Sequence, residues 1–274
     1  MSTTLKVMQC NVQHSYGTDN VSNVQRQMNV VASHSPHVVT MNEVFSGMAA
    51  RYLGDLQIAT GKKWYEHYAE DFPGKGEGNV ILSVFPFTGS AFHQYKTVLV
   101  SGLNETMSAI MNSFKINGLL VNLFSTHFAW NNGAAETAAR KEQVGELITW
   151  MAAFAGFKLV SGDLNVTAIN SDGSLTALIN NYTDAWSNAL SRSVATAYPD
   201  NPVSQYTRTR HTRLDYQFFN TGKGWTVASA QIPDTRVPPL LNPNPKVLEK
   251  LGTADDYGVR PSDHNWLVVS YVHA

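Results

Sequence analysis

"FKLVSGDLNV", residues 157–166, passes from a short apolar run into a carboxylate and a carboxamide two positions apart, Asp163 and Asn165. Gly, Asp and Asn are ordinary turn residues, so the stretch alone reads as a polar turn. Read as the end of a buried strand, the same residues present a polar pair to a cleft. The choice depends on whether other strand ends can meet Asp163.

Several candidates exist. "LKVMQC" (5–10) runs into Asn11, "HVVTM" (37–41) into Asn42 and Glu43, and "LLVNLFST" (119–126) into His127. "NVILSV" (79–84), "MSAIMNSF" (107–114), "RLDYQFF" (213–219) and "WLVVSYV" (266–272) are also of strand length and composition. In "RLDYQFF", alternation puts Leu214, Tyr216 and Phe218 on one face and Arg213, Asp215 and Gln217 on the other. Asp263 and His264 immediately precede the last strand.

Helical spacing appears between these runs. Val21, Val24, Met28 and Val31 share a face in a helix that should stop before "HSP" (34–36). Val144, Leu147, Ile148, Met151 and Ala155 form another face within 136–155. Strands alternating with helices, without repeats or low-complexity linkers, predict one α/β domain over 1–274. "DFPGKGEGN" (71–79) and "IPDTRVPPLLNPNP" (232–245) read as irregular, the second within a long connection over 220–262.

Composition narrows the class. The 274 residues are 43% hydrophobic and 15% charged, ample for a sizeable core and unlike a disordered chain. A formal net charge of -1 gives no global field for nucleic acid or anionic membrane, though a local patch or a bound cation can supply one. The single cysteine, Cys10, excludes an internal disulfide and a thiolate zinc site, and its setting predicts a buried strand residue. No apolar run reaches membrane-spanning length, and the N-terminus is too short and mixed for a secretory signal. A soluble chain is expected, with a cytoplasmic location favoured and secretion left open if a leader has been removed.

Loops at one end of the strands in α/β sheets converge on a ligand crevice. Asn11, Glu43, His127, Asp163, Asn165, Asp215, Asp263 and His264 can therefore share one site. Carboxylate oxygens suit Mg²⁺, which keeps water and substrate phosphate among its ligands. Asn side chains donate to phosphate oxygens without adding charge. A His beside a carboxylate is held in one tautomer and can activate water or stabilise charge. No "HExxH" supports a zinc protease, and no "GxSxG" elbow supports a serine hydrolase built on Ser262.

Taken in order, "QCNVQ", "MNEV", "GNVILSVFPF", "STHF", "SGDLN", "RLDYQFF" and "SDHNWLVV" resemble the endonuclease/exonuclease/phosphatase superfamily, which includes the deoxyribonuclease-I-like enzymes. Each block is short, but their order and their span from residue 9 to residue 269 are specific. The resemblance implies a four-layer α/β sandwich, two packed and mostly antiparallel sheets with helices outside. It implies metal-dependent cleavage of phosphoesters, usually with Mg²⁺ (Mn²⁺ as a substitute). Glu43 would be the principal metal ligand, with Asn11 and Asp263 near the metal. Asp163 would orient or deprotonate the attacking water, and Asn165 would hold the phosphate. His264 paired with Asp215 would stabilise the transition state or serve as base, and His127 would contact a phosphate oxygen. Asn79 would stand near the substrate. Gln13 departs from the pattern, since several DNA-repair members carry an acidic residue there.

Other features have plainer readings. "TRTRHTR" (207–213) gathers Arg208, Arg210, His211 and Arg213 as a solvated basic face or as phosphate contacts, with Arg213 the leading substrate contact because it shares a face with Asp215. Trp130 and Tyr206 can stack on a base, but packing is favoured. Gly76 and Gly78 read as turn glycines, and Arg140 and Gln143 as structural. The resulting expectation is a Mg²⁺-dependent phosphodiesterase with nucleic acid ahead as substrate and no stable protein partner. A sphingomyelinase-like lipid or small-molecule phosphodiesterase is the runner-up, and an inactive binding module on the same fold comes third. Specificity is expected in the 220–262 connection and in the loops after 5–10 and 119–126.

Overall fold

The computed structural model describes residues 2–18, 20–98, 106–131, 133–166, 172–197, 213–235 and 260–274. In chain order the strands are β1 (Thr3–Asn11), β2 (Val38–Phe45), β3 (Tyr65–Glu70), β4 (Glu77–Ser83), β5 (Gly89–Val98), β6 (Thr106–Ile116) and β7 (Leu119–His127). They continue as β8 (Phe157–Asp163), β9 (Thr183–Asp184), β10 (Ala195–Ala197), β11 (Asp215–Phe219), β12 (Trp225–Ile232) and β13 (Leu267–His273). The helices are α1 (Val24–Ser33), α2 (Ala49–Thr60), α3 (Ala134–Ala152), α4 (Thr176–Asn181) and α5 (Ala185–Ser191).

One sheet has seven strands in the order β10-β12-β13-β1-β2-β4-β3, the other six in the order β5-β6-β7-β8-β11-β9. Pairing is mostly antiparallel; β1 with β2, β7 with β8, and β10 with β12 run parallel. Three apolar clusters fix the layers. Met28 and Val31 of α1 and Tyr52 and Leu56 of α2 pack on Met8, Met41 and Val80 of the seven-stranded sheet. Val144, Leu147 and Met151 of α3 pack on Phe124, Val160 and Phe218 of the six-stranded sheet. Leu5, Val7, Val38, Ile81, Leu123, Leu159, Phe219 and Val269 meet between the sheets. The architecture is thus the four-layer α/β sandwich.

Local chemistry sets the element ends. The Asn23 side chain accepts from Arg26 N at 2.9 Å and starts α1, which stops at Ser33 before Pro36. Val21 lies outside this helix and is exposed. Gly61, at φ 63°, ends α2. Gly162, inside the opening stretch, cannot carry a side chain, because a Cβ there would sit 1.9 Å from the Thr126 carbonyl oxygen. Gly76 is a turn glycine at φ 72°, whereas Gly78 lies within β4.

The long connection expected over 220–262 is interrupted by β12, which pairs with β13. Its sequence, "WTVASAQI", has few β-branched residues, and a register shift between Val227 and Ser229 breaks the alternation that would have marked it. Residues 236–259, with most of the proline-rich stretch, lie outside the described residues.

The inward faces of both sheets change character along their length. On β1 the period-two face reads Leu5, Val7, then Gln9, Asn11; on β8 it reads Phe157, Leu159, then Ser161, Asp163. On β7, Val121 and Leu123 give way to Ser125 and His127. The antiparallel β11 runs the other way, from Asp215 and Gln217 to Phe219. One end of the inter-sheet layer is therefore apolar and the other a buried polar seam.

Candidate active site

Strand register brings the polar ends together. His127 pairs with Asp163 across the parallel β7–β8 ladder, and Asp163 pairs with Asp215 across the antiparallel β8–β11 ladder. On the facing sheet Asn11 pairs with Asn42, one residue before Glu43. The β2–β4 register shifts between Met41 and Val44, and Glu43 takes φ 59°. A non-glycine residue held there is strained, and the bulge re-aims its carboxylate toward Asn11.

A continuous polar chain results. His264 Nδ1 lies 2.7 Å from Asp215 Oδ2, and its Nε2 is 3.7 Å from Asp163 Oδ2. Asn11 Nδ2 donates to Asp163 Oδ2 at 3.0 Å and to Glu43 Oε1 at 2.7 Å. His127 Nε2 stands 3.7 Å from Asp163 Oδ2. Asn165, at φ 53°, donates its backbone N–H to Asp163 Oδ1 and its Nδ2 to Phe128 O, at 2.9 and 3.0 Å. Asp263 Oδ1 lies 3.8 Å from His264 Nε2, and Asp263 N donates to Gln13 Oε1 at 3.0 Å.

The seam beneath braces this chain. Gln9 Nε2 donates to Asn42 Oδ1 at 2.7 Å and to Asp215 Oδ1 at 3.2 Å, while Thr40 Oγ1 donates to Gln9 Oε1 at 2.5 Å. Asn42 Oδ1 also accepts from Asp163 N at 2.9 Å. Buried polar groups satisfied in this way hold a single geometry.

Charge is concentrated here. Burial drives the Asp163 carboxyl up, with Asp215 and Glu43 adding to the shift and the two histidines opposing it. Burial opposes the charge of His264, but Asp215 and Asp163 outweigh it and raise that imidazole to about 10. Burial pushes Asp71, under the same pocket, up to about 6.

Glu43, His127, Asp163, Asn165, Asp263 and His264 line a pocket of about 460 Å³ with Gln13, His14, Lys75, Glu77, Met107 and Trp130. Sequence reading missed His14, Lys75 and Glu77. His14 Nε2 is 3.2 Å from Glu77 Oε2 and its Nδ1 is 3.8 Å from Glu43 Oε2; Lys75 Nζ is 3.9 Å from Glu77 Oε2. The available signal was the "DFPGKGEGN" stretch, whose Gly-rich turn returns Lys75 and Glu77 to the cleft ahead of β4.

Two expected substrate contacts, Arg213 and Asn79, are placed differently. Arg213 does not line the pocket: it is buried, forms a two-pronged ion pair with Asp184, and lies 4.1 Å from the Tyr216 ring centroid. It precedes β11 by two residues, so the alternation that put it beside Asp215 does not extend to it. Asn79 is fully buried below the pocket, donating to Asp71 and Ser108 and accepting from Asn42 Nδ2 at 2.5 Å. Asn11 directs its Nδ2 at Glu43, and its Oδ1 accepts from Gln13 N at 2.9 Å, so it positions the carboxylates. Trp130, expected to pack, is 45% exposed at the rim. Arg140 and Gln143 are structural as read, binding the backbone on either side of Trp130. Arg208, Arg210, His211 and Tyr206 lie outside the described residues.

A divalent metal fits this donor set. Ligand atoms of Glu43, His127 and Asp163 all lie within 4.8 Å of one another, and His127 also groups with Asp71 and Glu77. Among the described residues, His127 Nδ1 and Asp71 Oδ2 are buried without a hydrogen-bond partner. Two carboxylates and an imidazole are oxygen and nitrogen donors of the kind a divalent cation takes.

Comparison with known proteins bears on the family and the fold. The model of the Endonuclease/Exonuclease/phosphatase family matches residues 8–264. Among curated proteins none matches the sequence. An endonuclease/exonuclease/phosphatase from Beutenbergia cavernae superposes with a TM-score of 0.70 at 21% identity, over 99% of this chain and 72% of that one. A mannosyl-6-phosphatase from Bacteroides thetaiotaomicron gives 0.70 at 16%, over 97% and 99%. TDP2 from Caenorhabditis elegans gives 0.64 at 15%, over 99% and 74%. At these identities the structural likeness is one of fold. Among the described residues no helix is long and apolar enough to cross a membrane.

Proposed function

The chain belongs to the Endonuclease/Exonuclease/phosphatase family, and from that premise we propose that it is a Mg²⁺-dependent phosphodiesterase (Mn²⁺ as a substitute) whose substrate class is nucleic acid. The observation that carries the reading is the chain of polar contacts Asp215–His264–Asp163–Asn11–Glu43, of which His264, Asp163 and Glu43 line the pocket while Asp215 and Asn11 brace them from behind.

Glu43, Asp163 and His127 would hold the metal, which when bound supplies Lewis-acid stabilisation of the phosphoryl charge. The chain's own groups do the rest. Asp215 fixes the His264 ring through Nδ1, leaving Nε2 directed into the pocket, where it can donate to a phosphoryl oxygen as charge develops. Asp163 is oriented by Asn11 Nδ2, Asn42 and the Asn165 backbone, and its carboxylate can orient an attacking water and accept its proton. Asn165 holds a phosphate oxygen through the second proton of Nδ2, the first being given to Phe128 O. Asp263, beside His264, would complete the acidic side of the pocket.

The test is hydrolysis of bis(4-nitrophenyl) phosphate, single- and double-stranded DNA, RNA and sphingomyelin, each with Mg²⁺ and with EDTA. Metal-dependent cleavage of a nucleic acid is expected. Cleavage confined to sphingomyelin would replace the substrate class, and metal-independent or absent cleavage of every substrate would overturn the reading.

A further inference from the structure

Two aromatic surfaces border the pocket, and they come from different sheets. On the side of the seven-stranded sheet, the His14 ring stacks on Phe45 with centroids 4.9 Å apart and planes at 19°. On the side of the six-stranded sheet, Trp130 follows β7. Phe45 is 41% exposed and Trp130 45%. Single exposed aromatics are common on protein surfaces. Here His14 and Trp130 line one pocket, with Phe45 stacked behind the His14 ring.

Both surfaces are rigidly mounted. Gln13, His14 and Ser15 take φ values of 47°, 53° and 74°, three successive non-glycine residues in the left-handed region. Such strain persists only where the surroundings enforce it. Asn11 Oδ1 accepts from Gln13 N at 2.9 Å, Gln13 Oε1 accepts from Asp263 N at 3.0 Å, and Ser15 Oγ accepts from Tyr52 OH at 2.9 Å. Trp130 is clamped from beneath. Ala129 N donates to Gln143 Oε1 at 3.0 Å, and the buried Arg140 donates NH1 to the carbonyls of Ala129 and Asn131, at 2.9 and 2.7 Å.

We propose that His14, backed by Phe45, and Trp130 form a stacking subsite for a nucleobase attached to the scissile phosphate, so that nucleoside phosphoesters are preferred over esters lacking a ring. This deepens the phosphodiesterase reading and rests on it. Besides the rings, every lining residue but Met107 carries a polar or charged group: Gln13, Glu43, Lys75, Glu77, Asp163, Asn165 and Asp263. An acyl chain would leave those groups desolvated and unpaired. A heteroaromatic ring instead offers its faces to the aromatic surfaces and its polar edge to the pocket. Ring-on-base stacking is tolerant of base identity, which fits a site read by shape.

Two esters with the same leaving group provide the test: thymidine 5′-(4-nitrophenyl phosphate) and methyl 4-nitrophenyl phosphate. The wild-type protein should prefer the thymidine ester, mainly through KM. Trp130→Ala should reduce the ratio of the two kcat/KM values by about ten-fold or more, Trp130→Phe should keep most of it, and Phe45→Ala should reduce it less than Trp130→Ala. A ratio unchanged by Trp130→Ala, or no preference in the wild type, would overturn the subsite while leaving the phosphodiesterase reading intact. Metal-dependent turnover of the methyl ester reports on that reading separately. If neither ester is turned over, calorimetric binding of AMP against ribose 5-phosphate decides: tighter AMP binding that is weakened by Trp130→Ala supports the subsite, and equal binding overturns it.

Discussion

The two halves of the inter-sheet layer are built from the same strands on the same faces, yet they do opposite things. At one end Leu5, Val7, Leu123 and Leu159 interlock and exclude water. At the other, Gln9, Thr40, Asn42, Ser161 and Asp215 are equally buried but hydrogen-bonded to one another. The apolar half supplies stability through area removed from water. The polar half has little stability to gain, since its hydrogen bonds replace bonds to water. What it does is fix the orientation of Asp163, Asp215 and Glu43. The contrast teaches that the seam is a scaffold for charge placed at the end of a hydrophobic sandwich.

That contrast can be broken by experiment. His264→Gln should lower the phosphodiesterase rate per folded molecule about 10²–10⁴-fold, the span of a positioned proton-donating group, and should also lower the melting temperature, because Asp215 and Asp163 lose the buried imidazolium they face. A rate within a few-fold of wild type would remove His264 from the chemistry. Leu123→Ala, in the apolar half, should cost about 2–5 kcal/mol in denaturant unfolding and leave the rate per folded molecule near wild type. Gln9→Leu, in the polar half, should cost about 1–3 kcal/mol, because Thr40 and Asp215 each lose a partner, and it should also slow turnover. If Leu123→Ala hurt turnover as much as Gln9→Leu did, the division of labour would be wrong.

The smallest effect lies beneath Trp130. Burial resists ionisation of Asp172, but hydrogen bonds from Ser174 and Arg140 hold its carboxyl down to about 2. A depressed carboxyl contributes stability that is present above its unfolded value of 3.8 and lost as pH falls through about 2. Asp172→Asn should therefore be slightly less stable than wild type at pH 7, and the gap should close between about pH 4 and pH 2. A gap that widens on acidification would reverse that sign.

Much of this was legible from residue order. β1, β2, β7, β8 and β13 each carry an apolar run of strand length, and their polar ends named Asn11, Glu43, His127, Asp163 and His264. What escaped was set by non-local contacts. α2 shows only Ala49, Tyr52 and Leu56 as a buried face, with Gly54 interrupting it, too sparse for a periodicity reading. β3, "YEHYAE", is a half-buried edge strand rich in charge. Arg213 was misplaced because its partner, Asp184, is 29 residues away in sequence, on β9 at the start of α5. His14 and Lys75 reach the site through turns whose course depends on the bulge at Glu43 and on Gly76, neither of which residue type alone encodes.

Glu43, re-aimed by its bulge, takes the anchoring role in the proposed metal-dependent phosphoesterase site. The most direct test of that role is the Mg²⁺-dependent rate on bis(4-nitrophenyl) phosphate for wild type and Glu43→Gln, with thermal unfolding of both followed in parallel. The expected result is a loss of about 100-fold or more in rate, abolition of wild-type activity by EDTA, and unfolding curves that nearly coincide. A Glu43→Gln protein that folds and turns over at the wild-type rate in Mg²⁺ would contradict it.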